Sequence, residues 1–528
     1  MSSYFQGART ELLASTIGEK LRETAARFPD REALVSRHQD RRFTWRELDA
    51  TVDEWARGLL GSGLEAGDRV GVWSTNCWEW IALQLACARS GLVLVNINPA
   101  YRSHELGYVI AKSRMKTLFL WEQDQRANYR EILSQASHQP ERVIYFEPGK
   151  RYWDREAEPV PANAAEAVNI QYTSGTTGSP KGVLLTHRNL LNNGMLVGRQ
   201  MKLTEHDRIC LPVPLYHCFG CVMGVLASVV YGSTLILPNW TYDARAALAA
   251  VDAERATAIY GVPTMFIAEL EHPDFAQFDL SSLRTGIMAG APCPIEVMRR
   301  VVDQMHCREI TIAYGQTESS PVITMSSAED PLELRVSTVG APLPETEVKI
   351  IDEAGDTVPL GMQGQLCTRG YLVMKGYDGE PEATARTIDP DGWLRTGDLA
   401  VMRPDGNCNI TGRAKDMIIR GGENVYPREI EDFLYTNPKV ADVQVVGLPD
   451  QRLGEAVCAW VRLKAGESMS EDELRDFCRG RIAHFKVPQY VRFVDAFPMT
   501  VTGKIQKFKM REEEIERLGL RYAMSATA

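Results

Sequence analysis

The sequence predicts an α/β protein, with a large multi-layer α/β domain at the N-terminal side and a small α+β domain after it. Three observations predict this. Short apolar, β-rich segments alternate with helix-like stretches through most of the chain. At 528 residues the chain is too long for one compact core. Its character also changes near Gly412-Arg413-Ala414-Lys415-Asp416, beyond which a shorter set of elements follows.

The expected strands of the large domain are 69–73, 92–97, 117–121, 143–146, 167–173, 234–237 and 309–313. Helical patterns lie between them, such as Met298, Val301, Val302 and Met305, which share one helical face. Residues 148–166 are largely polar and carry Pro159 and Pro161, so a surface loop is expected ahead of strand 167–173. The longest apolar run, 218–231, falls short of the roughly 18 residues of a membrane span and reads as a buried helix. The small domain should contain a helix with Ile430, Phe433 and Leu434 on one face, strands 443–446 and 457–463, and a helix from Glu471.

Composition excludes some partners. With 44% hydrophobic and 24% charged residues the chain is ordinary for a globular protein. Its net charge of −10 gives it no general attraction for nucleic acid or an anionic membrane, so any polyanion must be held by local groups. The eleven cysteines are scattered singly apart from Cys218 and Cys221, a pattern of reduced, buried thiols in an intracellular protein. No second Cys/His pair accompanies Cys218-x-x-Cys221, and four ligands are normal for structural zinc, so these two read as apolar lining. The start of the chain has no basic-then-apolar signal pattern, and Glu11 and Glu19 argue against a transit peptide; a cytoplasmic protein is expected. Tyr4-Phe5-Gln6-Gly7 has the form of a protease-cleavable tag remnant and carries no weight.

The strongest chemical signal is Thr173-Ser174-Gly175-Thr176-Thr177-Gly178-Ser179-Pro180-Lys181-Gly182, directly after strand 167–173. Three glycines let backbone approach an anion, the hydroxyls can donate to phosphate oxygens, and Lys181 supplies charge. A Ser/Thr/Gly surface turn is the plain alternative. The loop is not a Walker A motif, which needs Gly-Lys before Ser or Thr, whereas Pro180 precedes this lysine.

Further motifs follow in order: Tyr216-His217-Cys218-Phe219-Gly220, Ala289-Gly290-Ala291-Pro292, Tyr314-Gly315-Gln316-Thr317-Glu318, Thr396-Gly397-Asp398, Gly412-Arg413, Gly421-Gly422-Glu423-Asn424 and Thr502-Gly503-Lys504. The ordered set resembles the adenylate-forming superfamily of acyl-CoA synthetases, firefly luciferase and peptide-synthetase adenylation domains. The resemblance covers nearly the whole chain. Within the superfamily it is nearest to medium-chain acyl-CoA synthetases and their bacterial fatty-acyl relatives, as in Ala313-Tyr314-Gly315-Gln316-Thr317-Glu318 and Asp416-Met417-Ile418-Ile419-Arg420-Gly421-Gly422-Glu423-Asn424.

The resemblance implies an ATP-dependent ligase that activates a carboxylic acid as an acyl-adenylate and passes it to coenzyme A. Thr173, Ser174, Gly175, Thr176, Thr177, Gly178 and Lys181 would hold phosphates, and Gly290, Ala291, Pro292, Gly315 and Gln316 would border the nucleotide. Tyr314 offers an aromatic face for adenine, though alone it would read as a core tyrosine. Glu318 offers Mg²⁺ a hard oxygen ligand, and Thr317 would donate to phosphate. Asp398 presents two acceptors to the ribose hydroxyls, and Arg413 would contact ribose or phosphate. Lys504 would bridge the acid's carboxylate and the α-phosphate as pyrophosphate departs. His217 would gate the acyl site, against the plainer reading of a packed structural histidine.

The same resemblance makes the small domain mobile, with a large domain over 1–413, a hinge over 414–416 at Lys415, and the small domain over 417–528. Its rotation would withdraw Lys504 and bring in Gly421, Gly422 and Glu423 on the CoA side. The expected partners are the acid, ATP and CoA, with no nucleic acid and no integral membrane segment; a homodimer is left open. Branched or aryl acids, or transfer to a carrier protein, are the alternatives within the superfamily. Outside it stands a binding protein that has lost catalysis, which intact Lys504, Glu318 and loop 173–182 argue against.

Overall fold

The computed structural model describes residues 1–520 except Arg151, Asp154, 160–161, 174–179, Pro292, 414–415, 421–422, Gln451, Gly480, Ala483 and 501–504; the side chains of Arg413, Glu423 and Asn424 are also outside the description. Four sheets organise the chain. The strand Val93–Ile97 is buried at every position and lies fourth in a seven-stranded sheet. That sheet runs Gly376–Tyr377, Lys181–Thr186, Ala167–Thr173, Val93–Ile97, Arg69–Trp73, Thr117–Leu120, Arg142–Tyr145, and its last five strands are parallel. Helices on both faces account for the continuous apolar runs of those strands.

A nine-stranded sheet runs Ala341–Pro342, Val322–Met325, Glu309–Gly315, Thr285–Ala289, Ala258–Gly261, Arg208–Cys210, Thr234–Leu237, Glu32–Ser36, Arg41–Thr44. Its six strands from Glu309–Gly315 to Glu32–Ser36 are parallel. A third sheet, antiparallel throughout, joins Tyr4–Gln6, Thr346–Ile351, Gln363–Gly370, Leu394–Met402 and Cys408–Arg413. One apolar core takes in residues of all three sheets, among them Val72, Ile209 and Val348.

The fourth sheet is built from Ile418–Arg420, Glu423–Val425, Val440–Asp450, Gly454–Leu463 and Tyr490–Phe493, and its two faces carry separate small cores. The helix Pro427–Tyr435 buries Ile430 and Leu434 against one of them. The helix Glu471–Cys478 starts with a reciprocal Ser470–Glu473 cap at the expected residue. This small domain meets the large one through Arg428, whose Nη2 donates to the Cys293 carbonyl (3.4 Å), and through an Arg462–Glu271 ion pair (3.4 Å). Among the described residues no helix is long and apolar enough to cross a membrane. All eleven cysteines are free and buried.

Three sequence expectations need revision. Run 218–231 is a buried helix, but Phe219–Leu226 is π-helical and only Ala227–Tyr231 is α-helical. The wider coil lies close against its surroundings: a Cβ on Gly220 would sit 2.3 Å from the Pro214 carbonyl oxygen. Loop 148–166 is not wholly a surface loop, because Trp153 is buried among Trp55 and Phe119 and fills the space that a Cβ on Gly58 would need. Tyr4-Phe5-Gln6, given no weight from sequence, is part of the fold: it pairs with Thr346–Ile351, and Phe5 packs on Gly406.

Candidate active site

The candidate residues gather where parallel strands of two sheets end. Rising strands Thr285–Ala289 and Glu309–Gly315 are paired neighbours, with Ala289 opposite Ala313, so Gly290-Ala291 and Gly315-Gln316-Thr317-Glu318 leave the same edge side by side. In the other sheet Thr173 lies opposite Lys181, so strand pairing holds both ends of loop 174–180. The carboxyl edges of parallel sheets are where such folds bind ligands.

Local rules fix the turn after Tyr314. A Cβ on Gly315 would lie 1.9 Å from the Pro321 carbonyl oxygen, so only glycine fits there. The single 3₁₀ turn Thr317–Ser319 is closed by the Ser319 hydroxyl, which accepts from the Gln316 N–H (3.1 Å) and donates to the Pro321 carbonyl (2.7 Å). Thr317 and Glu318 are thereby held rather than left on a free loop.

Tyr314 donates its phenol to Asp398 Oδ2 (2.7 Å), joining the nine-stranded sheet to the third sheet. Asp398 is buried; its N–H donates to the Thr396 hydroxyl (3.1 Å), Gly397 before it takes φ 76°, and Arg413 is its cross-strand neighbour. Glu318 is half-buried, and its Oε1 accepts from the Tyr377 phenol (2.9 Å). The Lys181 ammonium stands 5.0 Å from the centroid of the same ring. Burial, followed by the nearby Glu318 charge, pushes the Tyr377 phenol up from its usual range.

His217 is half-buried at the entry to the π-helix, where its Nδ1 accepts from the Phe219 N–H (3.2 Å) and its carbonyl from the Gly220 N–H (2.9 Å). The next residue, Cys218, donates its thiol to Gln171 Oε1 (3.0 Å), and burial pushes that thiol well up. The Thr317 hydroxyl also lies near this thiol, so the turn Thr317–Ser319 and the π-helix meet here.

Sequence reasoning missed several residues of this region. Gln171 continues into a buried amide ladder, donating to Asn169 (2.8 Å), which donates to Asn96 (2.9 Å). Polar residues two apart on a buried strand, Asn169 and Gln171, were a signal that could have found it. Tyr377, Asp378 and Arg69 had no such signal. Outside the described residues lie Ser174, Gly175, Thr176, Thr177, Gly178, Pro292, Lys415, Gly421, Gly422 and Lys504, together with the side chains of Arg413 and Glu423.

A divalent cation of the Mg²⁺ kind fits this donor set. Among the described residues no cluster of three or more His, Cys, Asp or Glu could hold a metal by itself. Glu318 offers one hard carboxylate, its Oε1 accepting from Tyr377, and Mg²⁺ characteristically uses one or two carboxylates plus substrate phosphates.

Comparison with known proteins gives two family matches: the AMP-binding enzyme model over residues 21–378 and the AMP-binding enzyme C-terminal domain over residues 429–504. A Bacillus subtilis protein provisionally designated an acyl-CoA synthetase is 48% identical over 97% of this chain and 99% of its own length. The mitochondrial medium-chain acyl-CoA ligase of Mus musculus is 42% identical over 98% of this chain and 91% of its own. An anthranilate CoA ligase solved with anthranoyl-AMP superposes with a TM-score of 0.87 at 26% identity, over 95% of this chain and 97% of that one.

Proposed function

The chain belongs to the AMP-binding enzyme family, and on that premise we propose that it is an ATP-dependent acid–CoA ligase acting on medium-chain fatty acids. One observation carries the reading furthest. Lys181, on the seven-stranded sheet, and Glu318, in the 3₁₀ turn beyond the nine-stranded sheet, are both held against Tyr377, a cation and a hard carboxylate gathered beside the end of loop 174–180. The full-length likeness to a medium-chain acyl-CoA ligase supports the acid class.

The acid's carboxylate attacks the α-phosphate and pyrophosphate leaves; the CoA thiolate then attacks the acyl carbonyl and AMP leaves. Loop 173–178 and Lys181 hold the phosphates, Thr317 donates to them, and Glu318 would hold Mg²⁺, which supplies charge neutralisation when bound. Tyr314, with Gly290, Ala291, Pro292, Gly315 and Gln316, borders the adenine. Asp398 and Arg413 orient the ribose, with the Tyr314 hydrogen bond fixing the Asp398 carboxylate. His217 and the π-helix after it border the acyl group. We assign the large domain to 1–413, the hinge to 414–416 and the small domain to 417–528. The small domain delivers Lys504 for the first step, then Gly421, Gly422 and Glu423 for the second. We assign the enzyme to the cytoplasm.

Acid-dependent AMP release with ATP, Mg²⁺ and CoA tests the reading across straight-chain, branched and aryl acids. Acyl-CoA formed with medium-length acids is the expected result. AMP without acyl-CoA would move the acceptor to a carrier protein, and turnover confined to aryl acids would overturn the acid class.

A further inference from the structure

Tyr377 touches both charged groups of this site, the Lys181 ammonium with its ring and the Glu318 carboxylate with its hydroxyl. We propose that Tyr377 is a positioning residue that keeps the Lys181 ammonium and the Glu318 carboxylate apart and aimed, its ring face holding one and its hydroxyl the other. The inference rests on the ligase reading above and concerns a residue to which that reading gives no part in catalysis.

A lysine and a glutamate facing a common site in the absence of phosphate tend to collapse onto each other as an ion pair. Here they do not. Among the described residues Lys181 makes no ion pair; its ammonium lies over the Tyr377 ring at 5.0 Å, a cation–π distance. Glu318 Oε1 instead accepts the neutral phenol at 2.9 Å, which fixes the carboxylate without cancelling its charge. The two groups are therefore separately oriented, as a phosphate clamp and a cation ligand must be.

Tyr377 is itself tightly held. It sits on the edge strand Gly376–Tyr377, antiparallel to Lys181–Thr186 with Tyr377 opposite Val183, so ring and lysine lie on neighbouring strands. Its N–H donates to the Thr384 hydroxyl (2.9 Å). The next residue, Asp378, is clamped by both Arg69 Nη atoms at 2.8 Å and donates its N–H to the Gly182 carbonyl (2.8 Å). Such anchoring on both sides is what a side chain needs to hold two others in place.

The test uses the full chain and two variants, Tyr377→Phe, which keeps the ring, and Tyr377→Leu, which keeps neither feature. Thermal unfolding is followed with ATP alone and with ATP plus a Mg²⁺ titration, beside the Mg²⁺ dependence of ATP–pyrophosphate exchange. Tyr377→Phe should raise the half-effective Mg²⁺ concentration about tenfold, as expected for one lost hydrogen bond to a charged group, with stabilisation by metal-free ATP unchanged. Tyr377→Leu should also weaken stabilisation by metal-free ATP. Two results would overturn the proposal: a Tyr377→Phe protein with the parent's Mg²⁺ curve, or both variants losing ligand-free Tm and ATP response alike, as packing alone would give. If the parent chain gains no stability from ATP and Mg²⁺, the ligase reading itself falls.

Discussion

At the scale of single residues, the candidate site is built from side chains whose partners lie far along the chain. Tyr314 and Asp398 are 84 positions apart and share one hydrogen bond at 2.7 Å. Asp398→Ala should raise the ATP concentration for half-maximal pyrophosphate exchange about ten- to hundredfold, the range for a lost bond to a charged group, while the fold is kept. A second residue-scale consequence concerns acid. His187 is buried, its Nδ1 accepts the Ile17 N–H at 3.2 Å, and burial pulls its pKa down to about 4 from 6.5. Between those values the unfolded chain binds a proton that the folded chain refuses, so stability falls as pH drops from 6.5 towards 4 and is unaffected above 6.5. Denaturant titrations should show that His187→Gln lessens the slope of stability with pH by about 1.4 kcal/mol per pH unit near pH 5, the remainder including His38, which burial also pulls down to about 4. Of the site residues, Tyr314, Glu318 and Asp398 were legible because each stands in a motif. Tyr377 and Arg69 were not, since Arg69 acquires its role only through Asp378, 309 positions away.

At the scale of elements, legibility followed burial. Strands Arg69–Trp73, Ala167–Thr173 and Thr234–Leu237 lie at the residues expected, because parallel strands covered on both faces leave unbroken apolar runs. The third sheet left no such mark. Its strand Leu394–Met402 mixes buried with half-buried positions and carries Thr396-Gly397-Asp398 within it, and Tyr4–Gln6 is only three residues long. The π-helix was likewise invisible, since apolar composition specifies a buried helix and not its pitch. Trp153 anchors loop 148–166 by filling the hollow beside Gly58, within an aromatic cluster with Trp55 and Phe119. Trp153→Ala should therefore cost about 3–5 kcal/mol, a core-sized penalty measurable by urea unfolding and far larger than a surface loop would give.

At the scale of the whole molecule, the proposed chemistry needs two arrangements of one small domain. Among the described residues its contacts with the large domain include two polar ones, Arg428 to the Cys293 carbonyl and Arg462 to Glu271, of a kind that suits a surface that must release. Lys504→Ala should abolish adenylate formation yet spare thioester formation from supplied acyl-AMP, as followed by pyrophosphate exchange and by acyl-CoA release. Equal loss of both half-reactions would contradict the proposed division of labour between Lys504 and the Gly421-Gly422-Glu423 loop.

The burial of all eleven cysteines has a practical consequence. Thiol reagents should find the folded chain silent, so one cysteine added to each domain's surface would accept a dye pair without stripping the native sulfurs. The proposed domain swing could then be timed by energy transfer in an otherwise unaltered enzyme.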